Sequence, residues 1–397
     1  MQVLTGVPKH HDWGSFDAIP RFLGVEPGSD PVAELWFGAH PLGASGLPDG
    51  SDLKTLIESD PESTLGPSTQ FTFGDELPYL VKLIAPRGAL SIQVHPGRRR
   101  AARGYDEEEA AGVKFDAFER IFHDQTHKPE MVYAISEFDA LIGFAVRRQA
   151  RERLENLGGK TASRLSRKLL LATGRGIKPV VSWILDPKDG PDAADVLDFV
   201  SACERRVKLG ESPDLFIDQA TVKLLAQFGP DPAILIAFLM NHVHLDPGET
   251  AFLQTGTVHS YQQGIGLELM ANSDNVVRAG LTSKHVDTEL FLEIADFDGV
   301  PPTRIAPEHP IPGINHFRSP VEDFELVTAE PKAPGARSPL PLPGSGPRVM
   351  VCLKNSVRVT TMKGSVELHQ GDAVFLLDTD GRAVAEGDGT VAVCGVP

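Results

Sequence analysis

In the first third of the chain, apolar residues come in short runs rich in β-branched and aromatic side chains, each bounded by Pro, Gly or charge. Tyr79-Leu80-Val81-Lys82-Leu83-Ile84, Ala89-Leu90-Ser91-Ile92-Gln93-Val94 and Met131-Val132-Tyr133-Ala134-Ile135 are the clearest. Runs of this length and bounding predict strands. Many short strands separated by Gly/Pro turns predict a sandwich, jelly roll or barrel. From about Arg147 to Val243 the spacing changes. Leu154 and Leu157, Leu165 and Leu169, and then Val196, Val200, Cys203 and Val207 recur at i+3 or i+4, the period of an amphipathic helix. Asp231-Pro232 ahead of Ala233 reads as an N-cap with proline in the first turn. The basic residues of this segment (Arg147, Arg148, Arg151, Arg153, Arg164, Arg167, Lys168) read as a solvated helix face.

Strand character returns at Leu245-Asp246-Pro247-Gly248-Glu249 and persists to Leu269. The stretch 331–347 holds Pro331, Pro334, Pro339, Pro341, Pro343 and Pro347 among Gly and Ser. That composition predicts an extended connector rather than a helix or a central strand. Beyond it the tail alternates again from Arg348, with turns at Met362-Lys363-Gly364 and His369-Gln370-Gly371-Asp372, and predicts a second, smaller β domain. The pattern as a whole is mainly β with an α-helical insertion.

A length of 397 residues exceeds what one cooperative core usually serves, so two or three domains are expected. Hydrophobic residues at 41% and charged residues at 23% give a globular rather than a disordered balance. Lys plus Arg is 38 against 54 for Asp plus Glu, a net charge of −16. This sets aside nucleic-acid and anionic-membrane partners, because phosphate backbones are held by net positive charge; any bound phosphate needs a local basic pocket. The longest apolar run, Ala233 to Met240, is far short of the roughly 20 residues of a spanning helix. Met1 to Pro8 lacks the basic start and apolar core of a signal peptide. Cys203, Cys352 and Cys394 form no CxxC pair, so neither a disulfide framework nor a thiolate zinc site is expected, and a reducing cytoplasm fits. Trp13, Trp36 and Trp183 read as core or sheet-packing residues. Arg98-Arg99-Arg100 to Asp106-Glu107-Glu108-Glu109 reads as a solvated helix.

One set of side chains points to metal chemistry. Gln93 and His95 lie two apart on a predicted strand, so they share a face and can converge on one ion. His127-Lys128-Pro129-Glu130 supplies a carboxylate at the start of another strand, and His259 follows the glycine turn at Gly256. One Gln, two His and one Glu form a mixed N/O set suited to Zn²⁺, Mn²⁺, Fe²⁺ or Co²⁺ with an open position for substrate. Only Glu130 is anionic, so a loaded site is cationic, near +1, and favours an oxygen-rich or phosphorylated ligand.

The tetrapeptide Gln93-Val94-His95-Pro96, the run His127-Lys128-Pro129-Glu130-Met131, the segment Glu268-Leu269-Met270-Ala271-Asn272-Ser273-Asp274-Asn275-Val276-Val277-Arg278-Ala279-Gly280-Leu281-Thr282 and Ala33-Glu34-Leu35-Trp36-Phe37-Gly38-Ala39-His40-Pro41 occur in one chain. In that combination the sequence resembles the type I mannose-6-phosphate isomerases, from Trp13-Gly14-Ser15 to about Phe297 and more weakly through the tail. The resemblance implies a cupin-type jelly roll carrying the metal site (1–146 and 244–300), an inserted helical domain (147–243) and a second cupin-like β domain (301–397) without a metal of its own. It implies one Zn²⁺ per chain on Gln93, His95, Glu130 and His259, an active-site arginine at Arg278, and pocket residues at Lys82, Ser91, Lys128, Glu268 and Lys284. Gln254-Thr255-Gly256 replaces the usual Pro-x-Gly ahead of the metal histidine, and Ser283 stands where the family often has proline; both concern turn rigidity rather than ligand chemistry.

The implied reaction interconverts mannose 6-phosphate and fructose 6-phosphate through an enediol(ate). It needs a base at the reacting carbon, an electrophile for the oxygen that gains charge, and a phosphate clamp. Arg278 suits the enediolate or the phosphate, since it is permanently charged and can donate two parallel hydrogen bonds. Glu268 is the preferred proton-transfer group, with Lys128 and His127 as rivals; Lys82, Ser91 and Lys284 are the expected phosphate and hydroxyl contacts. Two other readings use the same residues: a cupin dioxygenase holding Fe²⁺, and a sugar-phosphate sensor without turnover. The expected partner is a small sugar phosphate, with the chain a monomer or a weak homo-oligomer.

Overall fold

A computed structural model describes residues 1–174 and 176–397. The chain is mixed: the described residues carry 21 strands, all paired antiparallel in four sheets, and 11 helices. Two sheets face one another across the candidate site. The first, six-stranded, runs in the order Val7–Lys9, Glu34–Phe37, Tyr79–Ile84, Gly266–Ala271, Glu130–Ala134, Thr250–Leu253. The second, five-stranded, runs Val277–Gly280, Ile92–Val94, His259–Gln263, Phe138–Phe144, Met240–Leu245.

Alternation along each strand decides what lies on either side. In Tyr79–Ile84 every residue is buried, because both faces are covered. Tyr79, Val81 and Leu83 join Leu267 and Leu269 in a core shared with Phe324, Leu326, Val349, Val351 and Phe375 of the tail. Leu80, Lys82 and Ile84 point the other way, toward the site. Likewise the far side of the five-stranded sheet, with Ile92, Val94, Leu141 and Val277, packs on the helices through Val196, Phe199 and Phe238. The layers therefore run helices, sheet, site, sheet, tail.

The predicted helical period is present. Val196, Val200 and Cys203 are fully or almost fully buried on helix Ala193–Leu209. That helix starts where the Asp192 carboxylate accepts the Asp195 N–H at 2.9 Å and stops at Gly210, whose left-handed φ of 70° favours a residue without Cβ. The basic residues of this segment are less solvated than their pattern suggests. Arg153 pairs with Asp214 at 2.9 Å and donates to the carbonyls of Phe238 and Met240, tying helix ends together; Arg148 remains on an exposed face. The helical period also ends earlier than expected. The last helix of this segment is Ala233–Phe238, and a strand begins at Met240. The unbroken apolar run across 233–240 hides that change, whereas Val243 and Leu245 alternating with His242 and His244 carry it. Residues 246–249 form the turn between strands instead of continuing one.

Three other expectations shift. Of Ala89–Val94 only Ile92–Val94 joins a ladder, because Ala89 spends its N–H and carbonyl on the Gln227 side-chain amide. The proline-rich connector contains the edge strand Leu340–Leu342, with Pro341 exposed between two buried leucines, a position that tolerates a missing donor. The first strand, Gln2–Leu4, pairs with Ala373–Leu376 and so belongs to the tail's six-stranded sheet. The tail is completed by a four-stranded sheet, Leu340–Leu342, Ala383–Gly387, Ser356–Thr361, Gly364–His369. Among the described residues no helix is long and apolar enough to cross a membrane. All three cysteines are buried and unpaired.

Candidate metal centre and its cavity

Cross-strand register builds the site. In the five-stranded sheet Gln93 stands opposite Arg278 on one neighbouring strand and opposite His259 on the other. Directly opposed residues of an antiparallel ladder share a face, so guanidinium, amide and imidazole fall in one row. In the facing sheet the row is Trp36, Lys82, Glu268 and Val132. Glu34 and Glu130 lie two residues before Trp36 and Val132, and period two brings them to that same face.

The four predicted ligands converge. His95 Nε2 is 3.2 Å from Glu130 Oε1, His259 Nε2 is 3.3 Å from Glu130 Oε2, and the Gln93 amide lies 3.2 Å from His259 Nε2. The second ring nitrogen of each histidine is engaged: His95 Nδ1 donates to the Asn275 carbonyl at 2.8 Å and His259 Nδ1 to the Thr257 carbonyl at 3.0 Å. Those bonds fix the tautomer, so each Nε2 presents a lone pair inward. Burial, with Lys128 adding to it, pushes the His95 imidazole down to about 4, which keeps it neutral at pH 7. Two imidazole lone pairs and a carboxylate thus meet in a buried space, and among the described residues His95 Nε2 and Glu130 Oε2 have no hydrogen-bond partner. Orphaned buried acceptors are costly; a divalent cation satisfies them together, and rotating the Gln93 amide offers its oxygen as a further hard donor.

Asn275 supports this arrangement from below. Its side chain is fully buried, accepts the His123 N–H and donates to the carbonyls of Asp124 and Thr126. The loop leading into His127–Glu130 is thereby fixed to the segment that holds His95.

Above the ligands opens a cavity of about 430 Å³, lined by Lys82, Ser91, Gln93, Lys128, Glu130, Glu268, Arg278 and Lys284 among others. Its charges are unevenly satisfied. Lys82 Nζ lies 3.2 Å from Glu268 and 3.8 Å from Glu34. Burial alone would lower this amine, but the carboxylates outweigh it and raise it above its usual value. Lys128 Nζ lies 3.2 Å from Glu130. Burial, reinforced by Glu130 and Glu34, raises Glu268 above the ordinary carboxylate value against the pull of Lys82. No carboxylate pairs with Arg278 or Lys284 among the described residues. Burial lowers Arg278, and burial together with the nearby Arg278 lowers Lys284. Two uncompensated cations side by side at the rim form an anion site.

His127 is the predicted residue that does not reach the cavity. Its Nε2 faces Asp323, at 2.9 and 3.0 Å from the two carboxylate oxygens. Several lining residues had escaped the sequence reading. Glu34 accepts the Trp36 indole N–H at 2.6 Å; its signal was the Glu34-x-Trp36 alternation. His11, lowered chiefly by burial, had no sequence signal at all. Trp36, packed with Leu80 and Met270, and Trp13 also line the cavity, whereas Trp183 is buried beneath Arg164 and Lys168.

Comparison with known proteins agrees with this geometry. Residues 1–147 match the model of the phosphomannose isomerase type I catalytic domain. Mannose-6-phosphate isomerase of Escherichia coli K12 is 31% identical over 99% of this chain and 98% of its own length. The rat enzyme of the same name is 28% identical over 94% and 92%. Mannose 6-phosphate isomerase from Salmonella typhimurium, in a crystal structure bound to substrate and zinc, superposes with a TM-score of 0.87 at 27% identity, covering 100% of this chain and 99% of that one. On sequence similarity across its whole length and on shared architecture, this chain belongs to the type I phosphomannose isomerases.

Proposed function

We propose that the chain interconverts mannose 6-phosphate and fructose 6-phosphate, holding one Zn²⁺ on Gln93, His95, Glu130 and His259. The observation that carries this reading is the meeting of three orphaned or lone-pair acceptors beneath a cavity whose rim bears two unpaired cations. Curated relatives named for this activity support it, as does the similar structure bound to substrate and zinc. When bound, zinc supplies Lewis-acid polarisation or anchors sugar hydroxyls.

The chain's own groups divide the remaining work. Glu268, buried with a raised pKa, accepts the proton from the carbon beside the carbonyl and returns it to the neighbouring carbon. A base whose pKa is lifted toward neutrality takes up that proton more readily. Lys82, already paired with Glu34 and Glu268, positions that carboxylate and contacts sugar hydroxyls. Lys128 is close enough to Glu130 to move a proton between the two sugar oxygens. Arg278 and Lys284, with Ser91, clamp the phosphate. His127, whose ring is held by Asp323, stays a rival proton-transfer group only if its side chain turns toward the cavity.

The layered arrangement supports a cupin-type jelly roll built from 1–146 and 244–300, a helical insertion at 147–243 and a second cupin-like unit at 301–397. A cytoplasmic monomer or weak homo-oligomer is the matching physiological form. A coupled assay on zinc-replete protein tests the activity: conversion of mannose 6-phosphate is expected. Sugar-phosphate binding without conversion would leave a sensor, and oxygen consumption with Fe²⁺ would leave a dioxygenase.

A further inference from the structure

We propose a second divalent-metal site, remote from the cavity, formed by Asp139, His242 and His244. The three ligand atoms lie within 4.8 Å of one another. Asp139 is directly opposite His244 in the ladder between Phe138–Phe144 and the edge strand Met240–Leu245, and His242 lies two residues away. Period two puts both imidazoles on the face of Asp139. That face is the outer one, shared with Leu141, whereas Ala140 and Ile142 look toward the metal centre described above.

Each partner is held ready. Asp139 Oδ2 accepts from the Gln263 amide at 2.7 Å, while Oδ1 receives His242 Nε2 at 2.7 Å and His244 Nδ1 at 2.9 Å. One oxygen and two nitrogens therefore aim at a common point. Phe216 stacks on the His242 ring at 3.4 Å between centroids and 4° between planes, fixing its orientation. The other nitrogen of His244 lies 3.7 Å from Asp246. A carboxylate behind a histidine is the arrangement that steers its remaining lone pair onto a metal. In the metal-free network, protons occupy the two short contacts. A cation would displace those protons and take up the ring lone pairs that face Asp139, leaving a site near +1 that is open to solvent through His244.

Two imidazoles and a carboxylate with open positions suit Zn²⁺, Ni²⁺ or Co²⁺ rather than a hard ion such as Mg²⁺. Asp139 is buried, His242 half-buried and His244 44% exposed, so the site is reached from solvent and keeps waters. Its place in the fold gives it a consequence. The two strands it joins are those that flank the helical segment, and Phe216 belongs to helix Leu215–Phe228 within that segment. A metal here clips the base of the helical layer to the sheet.

The test is metal stoichiometry on the full, tag-free chain, stripped with chelator and dialysed against Zn²⁺. The wild type should bind about two equivalents, and His242→Gln/His244→Gln about one with its mannose 6-phosphate turnover retained. Asp139→Asn provides a second route to the same loss should the double variant fold poorly. Raising Zn²⁺ should lift the melting temperature of the wild type further than that of either variant once the tighter site is full. A wild type that binds only one equivalent, or variants that still bind two, would overturn the proposal.

Discussion

Arg278→Ala offers the sharpest test of how the cavity divides its labour. The guanidinium lies directly across the strand from Gln93, has its pKa lowered by burial alone, and among the described residues has no carboxylate partner to leave stranded. Its removal should therefore cost substrate interactions and little else. Two parallel charge-assisted hydrogen bonds to a phosphate are worth about 2–4 kcal/mol together, less than twice the single-bond value because Lys284 still neutralises part of the charge. That corresponds to a fall of roughly 30- to 10³-fold in kcat/KM. The assay follows mannose 6-phosphate in parallel with unphosphorylated mannose at high concentration. The variant should lose the stated factor on the phosphate ester and remain within a few-fold of the wild type on the free sugar. Lys82→Gln should differ: Lys82 is bound to Glu268 and Glu34, so both sugars should suffer together. An equal loss on both sugars for Arg278→Ala would refute the clamp and move this residue to the reacting carbons.

Other predictions follow from single features. Glu130→Ala should release the metal and abolish turnover, as read by metal analysis of the dialysed protein, because two neutral imidazoles and an amide retain a divalent ion weakly; retention of both metal and turnover would be inconsistent with the ligand set. The raised pKa of Glu268 places the acid limb of kcat/KM above the ordinary carboxylate value of about 4.3, since the protonated acid cannot accept a proton. The limb should vanish from the residual activity of Glu268→Gln. The linked stability effect has the opposite sense: a carboxyl raised by folding favours the native state at low pH, and that contribution fades as pH climbs through the raised value. In the helical segment, Arg206 and Asp218 are buried and joined at 2.5 and 2.7 Å. Asp218→Ala strands the guanidinium and should cost about 3–5 kcal/mol in urea unfolding; a change below about 1 kcal/mol would show that water reaches the pair.

Much of the site was legible because its residues obey local rules. Gln93 and His95 announce a shared face by their spacing, and His259 by its glycine turn. The strand Tyr79–Ile84 coincides with its apolar run. What escaped depended on pairing between distant segments. No local pattern ties His11 to the cavity, or Asp139 to two histidines about a hundred residues away. His127 stands beside Lys128 and Glu130 in sequence, while its ring faces Asp323, a placement that alternation along one strand does not reveal. The helix-to-strand change at Met240 was hidden by an apolar run that serves both states, since a buried helix and a buried strand can share one composition.

The strand Tyr79–Ile84 is read from both sides: odd positions seat the tail, and even positions furnish the reacting cavity. Parity thus becomes an inherited constraint on this stretch of gene. Deleting or adding a single codon there would exchange the two sets, driving Lys82 into oil and a tyrosine into the substrate's place. Length changes that survive in descendants of this chain should accordingly collect in its bends, and any tolerated inside the strand should come as pairs.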